Sequence, residues 1–193
     1  MAVAVDRRDE TPVLIEVQHG LSGAARRVMA VLRISLGWIF LWAFLDKMFA
    51  LGFSTGRLDS GGIDFFAKGA AVLNGGSATT GFLKYGSTGP FASFWQSLSG
   101  QTWVEWVYLF ALIGLGVALI LGIGLRVAAV GGTLLLLSMW SVALWPANNP
   151  FMDDHIIYAL ALVVFALTAA GDTWGLGKRW SSTRLVQRFS FLK

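Results

Sequence analysis

Polar and apolar positions along this chain fall into long blocks rather than the short alternations of a water-soluble domain, and four apolar blocks are long enough to cross a bilayer. The first covers roughly residues 28–53, VMAVLRISLGWIFLWAFLDKMFALGF, and the second 103–125, WVEWVYLFALIGLGVALILGIGL. The third, 127–145, is VAAVGGTLLLLSMWSVALW and is closed by Pro146, and the fourth covers 154–170. Segments of about 20 residues match a hydrocarbon core of about 30 Å. The pattern predicts an all-α fold, a four-transmembrane-helix bundle spanning residues 28–170. Gly114, Gly116, Ala118, Gly122 and Gly124 supply small side chains suited to close helix contact.

Three polar regions flank or interrupt these blocks: an N-terminal arm (1–27), a long loop (54–102) and a basic tail (171–193). The loop is too long for a connector and has amphipathic signals of its own. In PFASFWQSL, Phe91, Phe94, Trp95 and Leu98 share a helical stripe behind Pro90, and IDFFAKGAAVL offers Phe65, Phe66, Val72 and Leu73. The intervening NGGSATTGFLKYG reads as a hinge or turn. These segments are expected to be short interfacial helices, either anchoring the protein or covering the outer ends of the spans. In the tail, TRLVQRFSFLK places Arg184 and Arg188 opposite Leu185, Phe189 and Leu192, the pattern of a basic membrane-surface helix.

Composition agrees with the pattern: hydrophobic residues make up 55% of the 193 positions and charged ones 13%, with a mean hydropathy of +0.65. These values describe an integral membrane protein and make a net charge of +4 uninformative about nucleic acid. A cleaved signal peptide fits poorly, because the first block is long, follows a polar arm and contains Arg33, Asp46 and Lys47. The absence of cysteine excludes disulfides, thiolate metal ligands, iron–sulfur ligation and protein persulfides. Five of the nine tryptophans, Trp103, Trp106, Trp145, Trp174 and Trp180, fall at span ends as an aromatic belt.

The distribution of Lys and Arg gives an orientation. Arg7, Arg8, Arg26 and Arg27 in the arm, Arg126 in the second-to-third turn, and Lys178, Arg179, Arg184, Arg188 and Lys193 in the tail lie on one side. The other side has Arg57, Lys68 and Lys84 in the long loop and no basic residue in PANNPFMDD. The positive-inside rule then places both termini in the cytoplasm, the plasma membrane of a bacterium being the expected location.

With this topology Asp46 and Lys47 late in span one, Glu105 early in span two, and Asp153, Asp154 and His155 at the start of span four all lie toward the outer face. Ionisable groups at membrane depth are costly unless paired or facing a wet cavity, so the set is a candidate site. Each member also has a purely structural explanation. Asp153 and Asp154 suit a helix N-cap, His155 an interface hydrogen bond, Lys47 a snorkelling cation beside Asp46, and Glu105 a headgroup contact. Arg33 and Arg126 suit inner-interface anchors. Trp38, Trp42 and Trp140 lie deeper and offer either core packing or a flat slot for a quinone ring. A metal bound by Asp153, Asp154, His155 and Glu105 is not expected, because adjacent residues on a helix do not converge easily on one ion.

Three segments, RISLGWIFLWAFLDKM, GLGVALILGIGLRVAAVGG and NNPFMDDHIIYALALVVFALTAAGDTWGLGKRW, give the chain a wider likeness. Over residues 26–180 it resembles the DoxX family of membrane proteins, in particular the DoxD-type subunit of thiosulfate:quinone oxidoreductase. The likeness implies a small four-helix membrane fold, a Gly–Arg turn matched by Gly122, Gly124 and Arg126, and an Asn-Pro/Asp/His start to the last helix matched by Asn149, Pro150, Asp154 and His155. It further implies either a membrane oxidoreductase with a quinone as electron acceptor and a second, separate protein subunit, or a membrane component of a thiol and oxidative-stress complex.

On the enzymatic reading, Lys47 with Arg57 or Lys84 attracts a small anionic reductant such as thiosulfate. His155 backed by Asp154 relays a proton to a quinone, with Asp46 or Glu105 as second carrier. Trp38, Trp42 and Arg126 are candidate quinone contacts. The main alternative is a non-enzymatic anchor or assembly subunit of a larger redox or membrane complex, and a third is a transporter or small-molecule binding protein.

Overall fold

The computed structural model describes residues 20–193; the expected arm cations Arg7 and Arg8 lie outside the described residues. Among the described residues the protein is all-helical, with two isolated β-bridges and no strand. Helix α1 is Gly23–Phe49, followed by two short loop helices, α2 (Thr80–Tyr85) and α3 (Ala92–Ser97). Two long helices come next, α4 (Thr102–Leu121) and α5 (Leu125–Val142), and then α6 (Asp154–Leu167). The tail holds α7 (Gly177–Ser181) and α8 (Arg184–Arg188).

Three helices, α1, α4 and α5, are long and apolar enough to cross a membrane, which makes this a membrane protein whose outer surface is solvated by lipid. Helix α6 is apolar but has 14 residues, about 21 Å of helix. It is shorter than the expected block because the chain leaves the α conformation at Thr168, passes through a left-handed Ala169 (φ 47°) and continues as a 3₁₀ turn, Ala170–Asp172.

The other helix ends have local causes. The Ser22 hydroxyl accepts the Ala25 N–H (3.2 Å) and starts α1 five residues before the apolar block begins. Helix α1 stops at Phe49, before the apolar block does, because Ala50 turns left-handed (φ 54°) and the following loop folds back onto Asp46. Gly122 (φ 70°) ends α4 and Gly124 (φ 60°) precedes α5, so the intervening turn needs the left-handed conformations that glycine adopts without strain.

Helices α1 and α4 run antiparallel in close contact. A Cβ added to Gly37 would meet the Leu119 side chain at 2.8 Å, and one at Gly116 would meet Leu41 at the same distance. Helices α5 and α6 form a second such pair, where Gly132 faces Leu162 and Leu115. Leu36, Phe40, Leu112, Leu119, Leu136 and Phe165 are buried where the pairs meet. One end of the helices, the loop end, holds Phe49, Thr102, Val142 and Asp154; the other, the tail end, holds Gly23, Leu121, Leu125 and Leu167.

The long loop differs in detail from its sequence pattern. Residues 63–71 form turns rather than a helix, with Phe66 (φ 60°) and Gly69 (φ 78°) left-handed, and the expected hinge contains α2. The loop is fastened at several points: Phe66 N–H donates to Phe49 O (2.9 Å), Thr88 N–H to Val142 O (2.9 Å), and Trp95 Nε1 to Ser141 Oγ (3.1 Å). The tail is not one surface helix. Val186 is buried, Arg126 N–H donates to Lys193 O (2.7 Å), and Trp180 Nε1 donates to Leu192 O (2.6 Å).

Candidate functional site

At the loop end, the charged residues singled out in the sequence form three stations. The first is the end of α1, where Asp46 is 1% exposed. Its Oδ1 accepts the Phe53 N–H (3.0 Å), and its Oδ2 accepts the N–H groups of Ser54 (2.8 Å) and Thr55 (3.2 Å) as well as the Ser54 hydroxyl. A carboxylate is suited to this position because it has only acceptors to offer to converging donors. Lys47 Nζ donates to Ser54 Oγ (3.3 Å), so one hydroxyl links Asp46 and Lys47. Arg57 Nε is turned onto Gly52 O (2.8 Å), and Lys84 lies over the Tyr85 ring.

The second station is Glu105, in the first turn of α4, whose Oε1 accepts the Ala78 N–H and ties the loop to that helix. The third is the start of α6. Asp153 is extended (φ −141°) and caps the helix, its Oδ1 accepting the N–H groups of His155 (3.1 Å) and Ile156 (3.4 Å). Its Oδ2 is 2.8 Å from His155 Nδ1, while Asp154 Oδ1 is 3.6 Å from the same nitrogen. Asp153 rather than Asp154 is therefore the closer partner of the imidazole. His155 keeps 20% of its side chain exposed, and its Nε2 has no hydrogen-bond partner among the described residues.

Asp153, Asp154 and His155 each place one potential ligand atom within 4.8 Å of the others. Adjacent residues fail to converge on one point when all of them sit on helical backbone. Asp153 lies just outside the helix, and its carboxylate folds back over the first turn. Glu105 instead holds Ala78, and no hydrogen bond or ion pair among the described residues joins any two of the three stations.

The aromatic and basic residues considered for a quinone lie elsewhere. Trp38 is 51% exposed. Its ring stacks on Trp42 with centroids 5.7 Å apart and a 39° tilt, leaving no slot between them, and Trp42 meets Phe53 edge-on at 5.1 Å. Trp140 Nε1 donates to Phe151 O (2.7 Å). Arg126 is at the tail end, where Nη1 donates to Ser190 O (3.2 Å), about 30 Å of helix from the α6 start.

Arg33, read from sequence as an interface anchor, is instead 0% exposed in the middle of the tail-end packing. Its guanidinium donates to the carbonyl of Leu119, and to those of Ile120 (3.1 Å), Thr173 (3.2 Å) and Trp174 (3.0 Å). These include carbonyls in the last turn of α4, which lack partners within the helix and carry the negative end of its dipole. The sequence signal was a cation placed more than one turn inside an apolar block, too deep for the span end.

The chain matches no protein-family model, no curated protein and no solved structure.

Proposed function

We propose that this protein is a four-span membrane protein of the DoxX type and serves as the membrane subunit of a quinone-linked oxidoreductase, with His155 as its proton-handling group. The observation that carries the reading is the 2.8 Å contact between Asp153 Oδ2 and His155 Nδ1. A carboxylate at Nδ1 fixes the imidazole's tautomer and orientation and leaves Nε2 to exchange the proton. Reduction of a quinone to a quinol takes up two electrons and two protons, and a partly exposed imidazole at a helix start can deliver protons to a ring entering from lipid.

The electron donor in this proposal is a small sulfur anion. Coupling of two thiosulfates to tetrathionate releases two electrons and no protons, which balances quinone reduction once two protons come from water through His155. Lys47 in the last turn of α1, together with Arg57 of the loop that Asp46 closes, gives the anion a cationic approach. Without cysteine the chain cannot hold sulfur covalently, so a separate subunit is proposed to bind the donor. The proposal includes residues 154–170 as the fourth span, and the termini on the cytoplasmic side of a bacterial plasma membrane.

A second reading is favoured by a different observation: Asp46, Glu105 and Arg126 all hold loops or tail in place. Such a frame suits an anchor or assembly subunit. The deciding experiment is reduction of a water-soluble quinone analogue by the chain in nanodiscs with thiosulfate, alone and with proteins that co-purify, comparing wild type with His155→Asn and Asp153→Asn. Turnover that falls in both variants at unchanged melting temperature supports the oxidoreductase. Full turnover in His155→Asn removes the proton role, and no turnover from folded protein under either condition favours the anchor.

A further inference from the structure

Helices α4 and α5 diverge from the 122–124 turn and leave an apolar groove of about 670 Å³ between the two tight helix pairs, on the half of the molecule nearer the tail end. Its walls include Phe110, Gly114 and Ala118 of α4 and Val127, Ala128 and Gly131 of α5, and Trp180 and Leu192 of the tail close one end. The only polar side-chain atom of these residues, Trp180 Nε1, is already bonded to Leu192 O.

Gly114 and Gly131 distinguish this groove from the packed seams. A Cβ added to either would meet nothing within 4 Å, whereas one at Gly37, Gly116 or Gly132 would collide with a neighbouring helix. Neither lies at a helix end or has a positive φ. A mid-helix glycine costs about 1 kcal/mol relative to alanine, and no contact with the described residues requires it at these two positions.

We propose that the groove binds an anionic phospholipid, with an acyl chain lying along Gly114 and Gly131 and the headgroup held by Arg126, Lys178 and Arg179. The placement of charge argues for this occupant. Arg126 stands between the groove residues Gly124 and Val127, and Lys178 and Arg179 immediately precede groove residue Trp180. None of the three forms an ion pair with a carboxylate among the described residues, although Asp172 is near enough to feel Lys178. Basic groups at the membrane surface beside a lipid-filled cleft attract anionic headgroups. A second copy of the chain, docked through the same groove about an axis along the membrane normal, would instead bring this cationic end against its own duplicate.

The test is native mass spectrometry of the full chain in mild detergent, titrated with dioleoyl phosphatidylglycerol or dioleoyl phosphatidylcholine. Wild type should retain phosphatidylglycerol under activation that strips phosphatidylcholine. Gly131→Leu and Gly114→Leu should lose the phosphatidylglycerol adduct, while Val130→Leu, outside the groove, should retain it as wild type does. Arg179→Ala, which removes no hydrogen bond within the protein, should lower the preference for phosphatidylglycerol about fivefold, and Arg126→Ala should act in the same direction. Melting temperatures identify any variant that fails to fold. Equal retention of the two lipids would overturn the proposal. So would a dimer that forms without added lipid and is lost in Gly131→Leu, which would assign the groove to a second copy.

Discussion

Arg33 Nη2 lies 3.0 Å from the carbonyl oxygen of Trp174, a bond that joins the first helix to the segment between α6 and α7 across 141 positions of sequence. The same guanidinium holds the end of α4 through Leu119 and Ile120. One buried cation therefore gathers three parts of the chain at the tail end, and backbone carbonyls rather than a carboxylate are its partners. A planar fork of five donors can serve several carbonyls at once, which a lysine ammonium cannot do in this geometry.

Arg33→Met should accordingly destabilise the protein by on the order of 3 kcal/mol, because it strands several buried carbonyls together. Arg33→Lys should recover part of that loss. Thermal melting in detergent measures both, and a Met variant that melts with wild type would show that the carbonyls find other partners.

Glycine substitutions should separate close packing from open groove. A Cβ at Gly171 would run into the Gly122 carbonyl, and Gly122 itself is left-handed with Arg33 Nη1 close by. Gly171→Ala should lower the melting temperature sharply. Gly131→Ala, facing open space in α5, should leave it unchanged or raise it, by up to about 1 kcal/mol of helix propensity. Similar losses in both variants would contradict the packing described for the tail end.

Asp46→Asn should loosen the loop without dissolving the fold. The carboxylate accepts from Phe53, Ser54 and Thr55, and an amide replaces one acceptor oxygen with donors, leaving about 1–3 kcal/mol of local bonding unmet. Hydrogen exchange at the amides of residues 53–55 should accelerate, while exchange in α4 and α5 stays slow. Unchanged protection at 53–55 would rule out the clamp.

The long apolar helices were legible because hydrocarbon on the outside leaves only a long apolar period to read, and α1, α4 and α5 all follow from it. Helix ends were less legible. The apolar block around Phe53 continues past α1, and only the convergence of three N–H groups on Asp46 reveals the stop. The cap at Asp153 could be read from its residue type, but its preference over Asp154 for the His155 ring depends on backbone that leaves the helix one residue earlier. The tail misled most, since Leu185, Phe189 and Leu192 carry a surface-helix pattern although the intervening Val186 is fully covered. Arg33 was visible as a misplaced charge, yet its partners are backbone atoms more than eighty positions away, which residue identity does not encode.

Acidity offers a separate check on the tail end through Asp172, beyond the end of α6. Burial holds its carboxyl above the ordinary carboxylate range, with Lys178 and Lys193 pulling it back. A carboxyl with a raised folded-state pKa binds its proton more tightly in the folded than in the unfolded protein. Its favourable contribution is therefore present below the unfolded pKa, near pH 4, and is lost as pH rises through the folded value, where the buried charge becomes a penalty. Asp172→Asn removes that penalty. The variant should melt above wild type at pH 7, and the difference should shrink toward pH 4; Lys178→Ala, by removing an attractive charge, should lower the neutral-pH melting point of wild type but not of Asp172→Asn. Melting curves recorded from pH 4 to pH 8 test this directly. Parallel profiles for wild type and Asp172→Asn would mean that the carboxylate is solvated as well in the folded protein as in the unfolded chain.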